Sequence, residues 1–231
     1  MAKRCAFVNY GDSREGTPIA DALKEQGYYV YATRAPDPLK LNHTNPDPLS
    51  VDQFIDSNIE SIVATIKICR AVVYHVLDTP KVACDVFKII ETDPGVRKTI
   101  VIVSPIFTWA GTPRTTDWKE RWPHPKYPDH LAAERYLTSL SLRLYVMDVG
   151  LLYGDGESAL LPLFKAAWHA NGHFVKRGPN VIPVLHVRDM AQGAVALLSS
   201  PPEQPVIVAH DGSNPTRTQL VKAINEGFSN K

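Results

Sequence analysis

The sequence predicts an α/β fold: a doubly wound parallel sheet of the Rossmann type with a small C-terminal capping lobe. Three observations predict it. The chain opens on a strand, turn, helix, strand order over residues 5–33. Short apolar runs then alternate with amphipathic stretches as far as residue 152, and the texture changes after Tyr153-Gly154. Parallel strands need a crossover connection, so a sustained alternation reads as successive βαβ steps.

Residues 5–9 form a compact apolar run that ends at a polar turn, and residues 18–26 read as a helix stopped by Gly27, with a second strand over residues 28–33. Residues 35–50 carry Pro36, Pro38, Pro46 and Pro48 among Asp and Asn, the composition of a long loop. Helical spacing of Phe54, Ile55, Ile59, Ile62, Val63 and Ile66 predicts a helix over residues 51–67, followed by a strand over 71–77. Helix 81–92, strand 99–107, helix 131–140 and strand 144–152 continue the pattern. Beyond residue 155 come helix 160–170, an extended piece over 181–187, helix 189–198, strand 206–209 and helix 217–226. The whole chain, 1–231, reads as a single domain in which residues 155–231 supply the smaller lobe and the last sheet elements.

A chain of 231 residues with 44% hydrophobic content can bury one large core. Twenty-five basic against 24 acidic residues, a formal net charge of +1, give no global attraction to nucleic acid or an acidic membrane. Cys5, Cys69 and Cys84 show neither metal-ligand nor disulfide spacing, so an intracellular location and no metal are expected. His169 and His173, four apart, lack a third ligand. No apolar run approaches the ~20 residues that cross a bilayer. The segment 109–122, with Trp118, Arg114, Lys119 and Arg121, reads as a protein-contact surface.

Three stretches together resemble the extended, or atypical, short-chain dehydrogenase/reductase superfamily across nearly the whole chain. They are Gly16-Thr-Pro-Ile-Ala-Asp-Ala-Leu-Lys-Glu-Gln-Gly27, Val149-Gly150-Leu-Leu-Tyr153-Gly154 and Ile182-Pro183-Val-Leu-His186-Val187-Arg188-Asp189. Thr108-Trp109-Ala110, His124-Pro125, Asp129-His130, Ala133-Glu134 and Asn180-Val-Ile-Pro183 further resemble the dehydrogenase-like domain that precedes the kinase in ciliary adenylate kinases. That resemblance implies a ciliary or flagellar axonemal assembly such as a radial spoke, with its other proteins, adenylate kinase domains among them, as partners. The chain has no Gly-x4-Gly-Lys-Ser/Thr loop, so kinase activity does not carry over.

The resemblance also fixes what cofactor binding and catalysis would require. A pyrophosphate is held by backbone N–H groups at a helix N-terminus, which glycines let it approach. With Gly16 as the third glycine, Tyr10 and Ser13 occupy the places of the first two, and Gly11 is displaced by one. Arg34, after the second strand, suits the phosphate of NADP or else faces solvent. His75 belongs to the wall around the cofactor or is a core histidine, Ser104 counts with the cofactor-binding residues, and Pro105 after it falls near the position of the substrate-orienting hydroxyl. The expected cofactor is therefore none, or weakly bound NADP. The general-acid tyrosine and its helper lysine fall on Lys126 and His130, with Tyr127 offset by one helical residue, ~100°. Asp148 replaces an arginine of the later strand.

The expected function is a non-catalytic scaffold. An NAD(P)-dependent oxidoreductase or epimerase using Tyr127 and His130, or a nucleotide-sensing switch without turnover, are the alternatives.

Overall fold

The computed structural model describes residues 4–36, 50–77, 80–93, 98–111, 117–156, 160–170 and 181–229. Its elements are β1 (Cys5–Val8), α1 (Gly16–Glu25), β2 (Tyr29–Thr33), β3 (Gln53–Ile55), α2 (Ile59–Ile68), β4 (Ala71–His75), α3 (Pro80–Glu91) and β5 (Thr99–Pro105). They continue with α4 (Pro128–Ser139), β6 (Leu144–Val149), β7 (Leu151–Tyr153), α5 (Leu161–His169), β8 (Val184–His186), α6 (Val187–Ser199), β9 (Val206–Ala209) and α7 (Arg217–Ser229).

Seven strands form one parallel sheet in the order β3-β2-β1-β4-β5-β6-β9, and β7 pairs with β8 in a separate parallel ladder. This is the doubly wound α/β architecture that the alternation predicts. Because the side-chain period of a strand is two, each strand feeds two cores. Ala6, Val8, Val73, Val101 and Met147 pack with α1 and α6 on one face. Phe7, Val72, Tyr74, Ile100 and Val146 pack with α2, α3 and α4 on the other. Burying a side chain of this size stabilises the fold by about 1.5–3 kcal/mol, before ordering entropy is charged against it.

Helix ends follow local chemistry. Gly27, at φ +77, closes α1 by a reciprocal pair in which Tyr28 N–H donates to the Leu23 carbonyl at 3.1 Å and Gly27 N–H to that of Lys24 at 2.9 Å. Asn58 caps α2 by accepting from Ser61 N–H at 2.8 Å.

Two predicted elements are divided. The helix expected over residues 51–67 begins only at Ile59, and Gln53–Ile55 instead adds a parallel strand to β2. The Asp52 carboxylate accepts from Val30 N–H at 2.9 Å and so pins that strand, while Asn58 supplies the true helix start. The strand expected over 144–152 breaks at Gly150, where a Cβ would lie 2.7 Å from the Pro183 carbonyl oxygen. Of the proline-rich loop, residues 37–49 lie outside the described residues, as does His173.

Candidate functional site

The chain runs β1-β2-β3 to one side of the sheet and returns at β4 beside β1, so the β1/β4 crevice is the topological switch point, where such folds take a ligand. In this protein side chains bridge that crevice. Asn9 Oδ1 accepts from His75 N–H at 2.7 Å and Asn9 Nδ2 donates to the His75 carbonyl at 2.9 Å, and both residues are buried. The His75 ring, itself a wall of the crevice, meets the Tyr10 ring edge-on at 5.3 Å.

Tyr10 stands where the tight turn calls for glycine and adopts φ +54, a left-handed conformation that costs an L-residue about 1–2 kcal/mol. Gly16 cannot be replaced, because its Cβ would come within 2.0 Å of the Tyr10 carbonyl oxygen. A Cβ on Gly11 would lie 2.5 Å from that of Ala32. Both glycines thus serve the protein's own packing.

Five amides of the turn are likewise turned inward. Tyr10 N–H donates to Thr33 Oγ1 at 2.8 Å, Gly11 N–H to the Thr33 carbonyl at 2.9 Å and Ser13 N–H to the Tyr10 carbonyl at 2.9 Å. Gly16 N–H donates to Ser13 Oγ at 2.9 Å and Thr17 N–H to the Ser13 carbonyl at 3.0 Å. These five donors are the kind that cradle a pyrophosphate.

The charges nearby are paired too. Arg34 lies over the Phe54 ring at 4.0 Å and 3.7 Å from Asp12, whose other oxygen accepts from Ala35 N–H at 2.6 Å. Arg14 donates to Glu15 at 2.8 Å. Asp12 and Glu15 thereby engage the two guanidiniums of the turn that could otherwise receive a phosphate. The glycines and these five amides, which a glycine-rich turn would present to a dinucleotide, are engaged here by the protein's own residues.

On the α4 side of the sheet, Tyr127 precedes the helix with φ −126 and ψ 31. Tyr127 thus lies before the first helical residue, and the offset of one helical position expected for it does not apply there. Its ring stacks on Phe107 at 4.8 Å and tilts against the His130 ring at 5.2 Å. His130 Nε2 is 3.0 Å from the Leu77 carbonyl oxygen. Ser104 joins neither ring; fully buried, it donates its hydroxyl to Glu134.

That bond belongs to a polar cluster that sequence reasoning missed. Ser104 and Asp148 are register partners on β5 and β6. Arg121, expected at the surface, is instead buried, and this too is a correction: it donates to Asp148 at 2.5 Å and lies 2.7 Å from Glu134. Trp109 Nε1 donates to Asp148 at 2.6 Å, and Thr108 lies 3.5 Å from both Asp148 and Arg121. Burial and the neighbouring Asp148 raise the Glu134 carboxyl well above its usual range, with Arg121 opposing, and burial raises Asp148. One guanidinium thus serves two carboxyls, both of which burial pushes toward the neutral form. The available signal was an acid in each of two otherwise apolar faces, at Asp148 and Glu134.

The fold defines the class: a Rossmann-like α/β architecture that is shared with solved epimerases and dehydratases. Similar solved structures include UDP-N-acetylglucosamine 4-epimerase from Bacillus cereus, at TM-score 0.73 and 17% identity over 99% of this chain and 83% of that one. TunA, an NAD-dependent NDP-hexosamine 5,6-dehydratase, aligns at 0.77 and 13% over 97% and 81%. The dTDP-glucose 4,6-dehydratase of Bacillus anthracis, in complex with NAD, aligns at 0.75 and 16% over 96% and 80%.

In sequence, the chain is similar to adenylate kinase 7 of Mus musculus, 30% identical over 149 residues. That match covers 56% of this chain and 24% of the mouse protein's length. No family model matches the chain. No helix among the described residues is long and apolar enough to cross a membrane, and no group of metal-binding side chains occurs among them.

Proposed function

We propose that this chain is a non-catalytic, dehydrogenase-like interaction module that keeps the architecture of a dinucleotide-binding fold without its phosphate grip. The observation that carries the reading is the inward use of the turn's amides at Tyr10, Gly11, Ser13, Gly16 and Thr17. An entering pyrophosphate would have to displace those bonds, and each displaced acceptor left buried costs about 1–3 kcal/mol. Fold and function separate readily in such widely used architectures. The likeness to adenylate kinase 7 supports a place beside adenylate kinase domains, and the sequence's resemblance to the dehydrogenase-like domain of ciliary adenylate kinases extends the proposal to a ciliary or flagellar assembly such as a radial spoke. Salt extraction of isolated axonemes checks that place: retention with the filamentous fraction is expected, and a freely soluble protein contradicts it.

Calorimetric titration with NAD and NADP, oxidised and reduced, tests the loss of the phosphate grip. No saturation below about 1 mM is expected. Tight binding with turnover that Tyr127→Phe abolishes would establish the second reading, an NAD(P)-dependent oxidoreductase or epimerase. One observation favours that reading, the approach of the Tyr127 and His130 rings to 5.2 Å. Saturable binding without turnover would instead mark a nucleotide-sensing switch, with Arg34 selecting NADP.

A further inference from the structure

β9 is an edge strand: among the described residues it pairs with β6 alone. Val146 N–H donates to the Pro205 carbonyl at 2.7 Å and Gly150 N–H to that of Ala209 at 3.0 Å. In a parallel ladder this parity turns the main-chain groups of Pro205, Ile207 and Ala209 toward β6, and those of Val206 and Val208 away from it. An edge of this kind is a template for another strand, and native proteins usually blunt it with charge, proline or a bulge. Val206-Ile-Val-Ala209 has none of these.

Beside that edge lies a cavity of about 1370 Å³. Val206, Ile207 and Val208 all line it; a strand seen from its face offers alternate residues, whereas one seen along its edge offers consecutive ones. The rest of the wall is largely apolar and aromatic and includes Phe107, Trp109, Trp118, Ile182 and Pro183. Glu203, exposed at the foot of β9, is the one carboxylate among the described lining residues.

We infer that this groove receives an extended segment of a partner protein, added as a further strand on β9. Its main chain pairs with Val206 and Val208, alternate apolar side chains lie on Phe107, Trp109 and Trp118, and a Lys or Arg faces Glu203. Unpaired strand groups call for an extended main chain, because a helix satisfies its own amides. The lone acid on an apolar wall calls for a basic residue by charge complementarity. The inference does not rest on the phosphate turn and holds whether or not a dinucleotide binds there.

Selection of short random peptides displayed on phage against the purified chain supplies the probe. Enriched peptides should alternate apolar and polar residues and carry a basic residue at one end. A synthetic copy of the best one should slow exchange of the Val206 and Val208 amides about tenfold or more, with Ile207 and Ala209 protected whether or not it is present. Glu203→Lys should weaken its binding by about tenfold. Val208→Pro removes an N–H that β6 does not use, so the fold survives and binding is lost.

Enrichment of peptides with helical spacing overturns the inference, as does exchange at Val206 and Val208 that the peptide leaves unchanged, or binding indifferent to Glu203. Sedimentation of the chain alone separates one further case: self-association that protects the same two amides makes a second copy the occupant and also overturns it. Because the exchange measurement uses the unaltered protein, an unfolded variant does not shield the proposal.

Discussion

Asn9 and His75 exchange two hydrogen bonds, at 2.7 and 2.9 Å, between the C-terminal ends of β1 and β4. A side-chain amide thereby continues the sheet's ladder one residue past the last strand pair, across the crevice in which a doubly wound fold takes its ligand.

Asn9→Ala is expected to lower the unfolding free energy by about 3 kcal/mol, since it leaves the buried donor and acceptor of His75 without Asn9. Asn9→Asp should cost as much or more, because a carboxylate accepts from His75 N–H but repels the His75 carbonyl. Urea unfolding of the three proteins measures both effects.

The phosphate turn predicts a gain of binding. Tyr10→Gly relieves the left-handed strain at φ +54, and Ser13→Gly frees the Gly16 amide from its internal acceptor. The double variant should bind NAD at least about tenfold more tightly than the parent in a thermal-shift titration. Equal affinity in the two proteins would mean that the turn is not what excludes the cofactor.

Arg121 holds the polar cluster together by charge. Arg121→Met leaves Glu134 and Asp148 facing each other in the core, and a cost of about 3–5 kcal/mol is expected. Denaturant midpoints read this directly.

Glu134 sets a pH dependence whose sign follows from its raised pKa. Above the ordinary carboxyl value of 4.5 the unfolded chain loses this proton while the folded chain keeps it. The contribution to stability is therefore full below 4.5 and is lost as pH rises through the elevated folded value. Glu134→Gln keeps the shape and has nothing to titrate, so melting temperatures measured across that window should fall less steeply than in the parent.

Cys69 is fully buried at the end of α2, and burial pushes its thiol up to about 12. Native protein treated with iodoacetamide should be labelled at the half-buried Cys5 and Cys84 well before Cys69, which reacts only after unfolding. Peptide mass mapping distinguishes the three.

Much of the fold was legible in the sequence because it rests on local periodicity. The apolar runs that became β1, β4, β5 and β9, and the Gly27 stop of α1, are local signals. The failures came where one pattern satisfied two structures. Phe54 and Ile55 fit a helical stripe as well as an edge strand, and pairing with β2 chose between them.

The candidate site divides in the same way. Sequence alone determined that Tyr10 and Ser13 stand in the turn after the first strand and that Asp148 stands in an apolar strand, since these are matters of residue identity. Only the tertiary structure decided that Thr33 and Ser13 absorb the turn's amides, and that Arg121, 27 residues from Asp148, is buried against it. The physical reason is range: hydrogen bonds and buried charges are satisfied by whatever the fold brings within about 3 Å, and nothing in linear spacing records which groups those will be.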